Sequence, residues 1–228
     1  MRTFEIASGL STGYSHRKLA YNCQDAYAIH HEKDLIVGVV ADGCGAGRHS
    51  EVGAQLGTAF VMEFCKRHFR HERFDAAFLL QNIIEYLHQF CDLQLPSDRE
   101  RFIEDHLLFT LFGFVMTPTD THVFHAGDGF VGVNQEVWTI DQDNRPSYIG
   151  RHLLGQKATI VSESYKTDKI ELLMIATDGL RDLPEPILPW THMDAWYSHP
   201  VNLPKFLDEA SVQGILKDDC AVILVRPA

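Results

Sequence analysis

Three short acidic motifs in this chain sit against apolar runs: Ala41-Asp42-Gly43 after Leu35–Val40, Thr177-Asp178-Gly179 after Leu172–Ala176, and Asp218-Asp219 before Ala221–Val225. A carboxylate at the end of a buried strand is costly unless a cation or hydrogen bonds satisfy it. Three such carboxylates, far apart in sequence, point to one shared metal site, and clustered oxygen ligands suit hard cations such as Mg2+ or Mn2+. Asp42 is the candidate bridging ligand, and Gly43 lets the backbone bend so that its carbonyl also faces a cation. Asp178-Gly179 repeats the same strand-end device. Strand alternation turns only one of Asp218 and Asp219 inward. Asp25, in Cys23-Gln24-Asp25, opens a strand and is a further candidate, and Asp128 lies between Gly127 and Gly129, which permits close approach. A lone Asp-Gly is ordinarily a turn between polar flanks; here the upstream neighbours are long apolar runs. Two cations about 4 Å apart can hold a bridging water and lower its pKa, a route to phosphate ester hydrolysis without a protein nucleophile.

These residues need elements to hold them. Phe4–Ala7 and Ala26–Ile29 read as short strands, and Leu35–Val40 as a buried one. Ser50 opens a helix with Val52, Leu56, Phe60 and Phe64 at four-residue spacing, and a second helix spans Ala76–Cys91. Ser97 with Glu100 writes a capping box for a short third helix. His106–Met116, Thr121–Ala126, Phe130–Val133 and Val137–Ile140 then read as one β-meander, with turns at Thr117–Asp120 and Asn134-Gln135. Asp141–Gly155 reads as a loop, and Ala158–Val161 and Glu171–Ala176 as strands. The proline-rich Leu183–Pro204 is irregular, with a short helix near Met193–Tyr197; Phe206–Val212 is helical and Val222–Val225 closes a sheet. Helices segregated from antiparallel hairpins give an α+β layered fold rather than alternating βαβ units.

At 228 residues and 45% hydrophobic content, the chain can bury the core of a single domain, taken as residues 1–228. A net charge of −11 leaves no basic surplus for nonspecific nucleic-acid binding. The run Lys66–His71 is a set of cations at a helix end, near the negative pole of its dipole. The five scattered cysteines do not form a disulfide framework and fit a reducing cytoplasm. The first residues lack a signal-peptide core, and no stretch has the length of a membrane span.

Taken in order, Cys23-Gln24-Asp25-Ala26, Ala41-Asp42-Gly43-Cys44-Gly45, Gly127-Asp128-Gly129, Ala176-Thr177-Asp178-Gly179-Leu180 and Asp218-Asp219-Cys220-Ala221-Val222 resemble the motifs of the metal-dependent protein phosphatase 2C family. The compact bacterial-type branch is the nearest in flavour, with Gly13-Tyr14-Ser15-His16 before the Cys-Gln-Asp motif. The resemblance implies a four-layer α-β-β-α sandwich with two antiparallel sheets. It implies a phosphoserine/phosphothreonine protein phosphatase using two Mn2+ or Mg2+ ions and an activated water. On this reading Asp42 bridges both metals, the Gly43 carbonyl helps to hold one, and Asp178 and Asp218 hold the other. Asp25 bonds metal-bound water, Asp128 contacts a third, weaker metal, and Asp219 stands behind the ligands. Three positions depart from the pattern: Gln24 where relatives have Glu, Ala20 where they have a phosphate-gripping Arg, and Cys44 where many have a proton-donating His. His16, Arg17 or Lys18 is a stand-in for that Arg, with His16 the best fit to the branch. His49 is a stand-in for the proton donor, or simply an exposed residue of a helix's first turn.

Other readings compete. A thiolate–zinc site at Cys23, Cys44 and Cys220 lacks a Cys-x-x-Cys pair. Cys220 and Arg226 match Cys-x5-Arg spacing, but the residues between form an apolar strand rather than a phosphate cradle. His122 and His125 fall on opposite faces of their strand and cannot act as co-ligands. A non-catalytic relative that binds a phosphoprotein partner is motivated by Gln24, Ala20 and Cys44. A phosphatase of small metabolites remains open, with Trp190 and Trp196 as a substrate platform or as packing. The expected partner is a phosphoprotein substrate, with no nucleic acid and no membrane.

Overall fold

Period-two apolar patterning sorts the strand side chains onto two faces, and that sorting builds the molecule. The computed structural model of the chain describes residues 2–69, 74–143, 146–184 and 187–228. In order, the elements are β1 (Phe4–Ser11), α1 (Tyr14–Leu19), β2 (Ala26–Glu32), β3 (Leu35–Ala41), α2 (Glu51–His68), α3 (Ala76–Gln94), α4 (Arg99–His106), β4 (Leu111–Met116), β5 (Asp120–Ala126), β6 (Gly129–Val133), β7 (Glu136–Ile140), β8 (Val161–Lys166), β9 (Leu173–Ala176), α5 (Ile187–Thr191), α6 (Asp194–Ser198), α7 (Asn202–Val212) and β10 (Cys220–Pro227). Two antiparallel five-stranded sheets result, ordered β1-β10-β9-β6-β7 and β2-β3-β4-β5-β8.

Three apolar layers follow from the alternation. Ile36, Val40, Phe112 and Phe114 of one sheet meet Ile175, Ile223 and Val225 of the other in the central layer. Their strand neighbours Val37, Val39 and Val115 turn outward against α2 and α3 through Val61, Leu79 and Ile83. On the far side Met174, Val222 and Leu224 meet Trp196, Leu203 and Leu207 of α6 and α7. This is the α-β-β-α sandwich expected from the motifs.

Several expectations change in detail. The supposed meander is two hairpins in different sheets: β4 pairs with β5 in one, and β6 with β7 in the other. The chain crosses between them at Gly127, whose φ of +89° is a conformation that favours glycine. The strand placed at 158–161 begins only at Val161 and runs to Lys166 as an edge strand of mostly exposed residues, so it carries no apolar signal. His106 ends a helix rather than opening a strand. Helix α4 is capped by Asp98, which accepts from the Arg101 N–H at 3.0 Å, and not by Ser97. Helix α1 has no buried residue and so no periodicity to betray it. Pro204 lies inside α7, in its first turn, where a missing N–H costs nothing. Trp196 is buried and packs with Trp190 and Phe206 under a sheet, as core and not as a substrate platform. His122 and His125 do lie on opposite faces: His122 stacks on Phe74 in the helix-side layer and His125 on Phe112 in the central layer. Of the basic run 66–71, Arg70 and His71 fall outside the described residues. Among the described residues no helix is long and apolar enough to cross a membrane.

Gly38 explains a break in the β3 apolar run. It lies directly opposite Phe114 across the sheet, and an added Cβ would come within 2.4 Å of that ring. The fully buried Phe114 ring fills the space that a side chain at position 38 would otherwise take. Phe114→Ala should therefore destabilise the fold by about 3–5 kcal/mol, the usual cost of emptying a large buried site. Urea unfolding checks this, and a loss under about 1 kcal/mol would contradict the packing described.

Candidate active site

The carboxylates arrive from separate strand ends and meet at one end of the central layer. Asp42 leaves β3 and is braced by Thr110 just before β4. The Asp42 N–H donates to the Thr110 hydroxyl at 3.2 Å, and the Thr110 N–H returns to the Asp42 carbonyl at 2.8 Å. Gly43 bridges to Phe109 and donates its N–H to the Gln24 carbonyl at 3.1 Å, which ties the second acidic segment to the first. Asp25, at the start of β2, is buried; the Thr177 hydroxyl donates to it at 2.6 Å and accepts from the Ala221 N–H at 2.8 Å. One threonine thus joins β2, β9 and β10 at this end. Asp178 follows immediately. Its neighbour Gly179 lies so close to β10 that an added Cβ would stand 1.9 Å from the Asp219 carbonyl oxygen.

Of the adjacent pair, Asp219 is the inward residue and Asp218 the exposed one. The buried Asp219 carboxylate accepts from the Gly13 N–H at 2.7 Å and the Gln24 N–H at 2.6 Å, and pairs with His16 Nδ1 at 2.8 Å. It pins the start of α1 and the Cys-Gln-Asp segment to β10. Asp182 fixes the approach to Asp218, accepting from the Lys217 and Asp218 N–H groups at 2.7 and 3.0 Å. Ligand atoms of His16, Asp218 and Asp219 lie within 4.8 Å of one another.

Burial dominates the electrostatics, and crowding of like charge adds to it. Burial raises Asp42 well above the ordinary carboxylate range, and the charges of Asp178 and Asp218 raise it further. Asp25 is raised by burial and then by Asp42, to which it is hydrogen-bonded. Asp178 is pushed up to about 6 by burial and then by Asp218. Asp128, in the crossing between hairpins, is also raised by burial although it accepts the Gln142 N–H, and its charge reaches Asp178. Among the described residues its buried Oδ1 has no hydrogen-bond partner. An all-oxygen donor set, mutually repelling and with an orphaned buried oxygen at its margin, fits hard divalent cations.

Among the departures, Ala20 ends α1 in the left-handed conformation and offers only a methyl group. The Gln24 amide is buried and donates to the Gly47 carbonyl at 3.3 Å. Cys44 is buried against the Tyr148 hydroxyl, which also feels the Asp42 charge. His49 is 58% exposed and stands 3.6 Å from Glu51; it is exposed as expected but lies in the turn before α2, whose N-cap is Ser50, and not in the helix's first turn. Sequence reasoning missed Tyr148, since an irregular segment gives no signal of where its side chains return. It also missed Thr110, a lone polar residue within an apolar run. Thr177 stood in a quoted motif without a role.

Residues 12–210 match the family described as protein phosphatase 2C. No curated protein matches the chain by sequence. Among solved structures, the serine/threonine phosphatase Stp1 from Staphylococcus aureus is similar at TM-score 0.66 and 15% identity, with 99% of this chain and 96% of that one covered. The S. agalactiae serine/threonine phosphatase gives 0.65 and 14%, covering 99% and 100%. RsbX in complex with magnesium gives 0.60 and 12%, covering 99% and 96%. At these identities the likeness is one of fold, and regulatory proteins share it, as does the T6SS component PppA of Pseudomonas aeruginosa (0.63, 15%, covering 99% and 98%). The family match over most of the chain, together with the acidic cluster at the head of an α-β-β-α sandwich, shows that this chain belongs to the protein phosphatase 2C family.

Proposed function

We propose that the chain is a Mn2+- or Mg2+-dependent phosphatase of phosphoserine and phosphothreonine in proteins. One observation carries the reading: Asp25, Asp42, Asp178 and Asp218 come from four separate segments and lie close enough to shift one another's protonation. Such a gathering of like charge is unfavourable without a cation to offset it. Asp42 would bridge two ions with help from the Gly43 carbonyl, Asp178 and Asp218 would hold the second, and Asp128 would reach a third, weaker one. When bound, the ions supply an activated water and offset charge on the phosphoryl oxygens.

The chain's own residues do the rest. Thr177 fixes Asp25 toward Asp42, so its carboxyl is aimed to accept a proton from water at the cluster. Asp219 fixes one ring nitrogen of His16, leaving the other to face a phosphate oxygen where Ala20 offers nothing. The non-catalytic alternative draws on Gln24, whose amide is a weaker ligand than a carboxylate. Titration calorimetry separates the two, since tight Mn2+ uptake without turnover of any phosphopeptide favours the binder.

In hydrolysis of an aryl phosphate or phosphopeptide with Mn2+, Asp42→Asn and Asp178→Asn should each lower kcat by at least about 100-fold, the scale of losing one preorganised electrostatic stabiliser. Variants that match the parent would end this proposal. A second expectation concerns pH. The folded pKa of Asp178, about 6, exceeds the ordinary aspartate value of about 3.9, and Asp25 and Asp42 shift in the same direction. These groups therefore favour the fold at low pH and lose that contribution as pH rises through the folded values. In EDTA the thermal midpoint should rise as pH drops from about 7.5 to about 5.5, and added Mn2+ should stabilise more at the higher pH. A Mn2+ shift independent of pH would contradict the cluster's electrostatics.

A further inference from the structure

A cavity of about 490 Å3 opens among Ala20, Asn22, Gln24, Arg48, His49 and Glu51, with the exposed Tyr21 also on its wall. It adjoins the acidic cluster through Gln24, whose backbone N–H is bonded to Asp219. The chain is acidic overall and its active site more so, yet this wall carries the cationic Arg48 and the imidazole of His49 among small residues that include Gly45, Ala46 and Gly47. Glu51 is its one carboxylate and is already engaged, accepting from the Asn22 amide at 2.9 Å and lying 3.6 Å from His49. Asp105 takes the Arg48 N–H and feels its charge, but its carboxylate is bonded to Arg101 at 2.7 Å. Among the described residues the exposed Arg48 guanidinium forms no ion pair. A planar donor fork with no carboxylate paired to it among the described residues, beside an imidazole, matches the geometry of a carboxylate or phosphate.

We propose that this cavity is a specificity subsite for an anionic side chain flanking the phosphorylated residue, so that acidic phosphopeptides are the preferred substrates. The proposal rests on the phosphatase reading above. Arg48 supplies the charge, the exposed His49 ring stands beside it, and Ala20 leaves the room. A peptide lying across the cluster places its phosphate on the carboxylate-held ions and its neighbouring acidic side chain on Arg48. The same arrangement makes a flanking lysine unwelcome.

The test uses three phosphopeptides that differ only in Glu, Ala or Lys beside the phosphoserine, assayed with Mn2+. The parent protein should favour Glu over Ala in kcat/KM by about five-fold at low salt, the reach of a partly exposed ion pair, and less at high salt. Arg48→Ala should bring that ratio close to one, and Arg48→Glu should turn the preference toward Lys. Equal rates on the Glu and Ala peptides, or a Glu preference that survives Arg48→Glu, would overturn the subsite. Aryl phosphate has no flanking side chain, so its turnover reports on the phosphatase reading alone. Should nothing turn over, fluorescence anisotropy of the same peptides decides: tighter binding of the Glu peptide that is lost in Arg48→Glu supports the subsite, and equal affinities reject it.

Discussion

Carboxylates resist burial and repel one another, and the head of this sandwich is organised around holding several of them together. The hydrogen bonds there run from neutral donors inward: Thr177 to Asp25, and the backbone of Gly13 and Gln24 to Asp219. These fix the outer members of the cluster while Asp42 and Asp178 keep their charge problem. The apolar layer beneath supplies the rigidity. Buried β3 and β9 end just before Asp42 and Asp178, and the mostly buried β10 begins just after Asp218-Asp219, so the strands that make the core also aim the carboxylates. A cation at this point would convert the least favourable region of the fold into a cross-link between its two sheets.

Most of this was legible in the sequence because burial leaves an apolar trace. The β3, β9 and β10 runs each carried an acidic motif at a strand end, and strand alternation required one of Asp218 and Asp219 to turn inward. What was hidden lacked that trace. The edge strand β8 is polar on both faces because neither is deeply covered, and α1 buries no side chain. The two hairpins β4-β5 and β6-β7 have the same local pattern as a four-stranded meander, and only the backbone at Gly127 sends the chain to the other sheet. Tyr148 reaches Cys44 from a segment without period, and contacts of that kind are set by tertiary structure alone.

The departures from the family pattern look different in three dimensions from how they look in one. Gln24 is a participant, since its backbone holds Asp219 and its amide holds the glycine turn at Gly47. Ala20 is a removal that leaves space beside retained donors. Cys44 is walled in by Tyr148, so the position after Asp42-Gly43 is closed rather than left for solvent. The chain keeps the carboxylates and rebuilds what surrounds them.

The pairing of β1 with β10, residue for residue from Phe4↔Pro227 to Ser11↔Cys220, bears on how the molecule comes into being. The sheet β2-β3-β4-β5-β8 is complete once Lys166 has been made, whereas its partner waits for the last strand to return to the first. During synthesis one half can take shape early while the other stays open. Asp218 and Asp219 emerge with that final strand, so the acidic cluster is finished only when β10 docks. A nascent chain therefore holds an incomplete cluster until β10 has emerged and paired with β1.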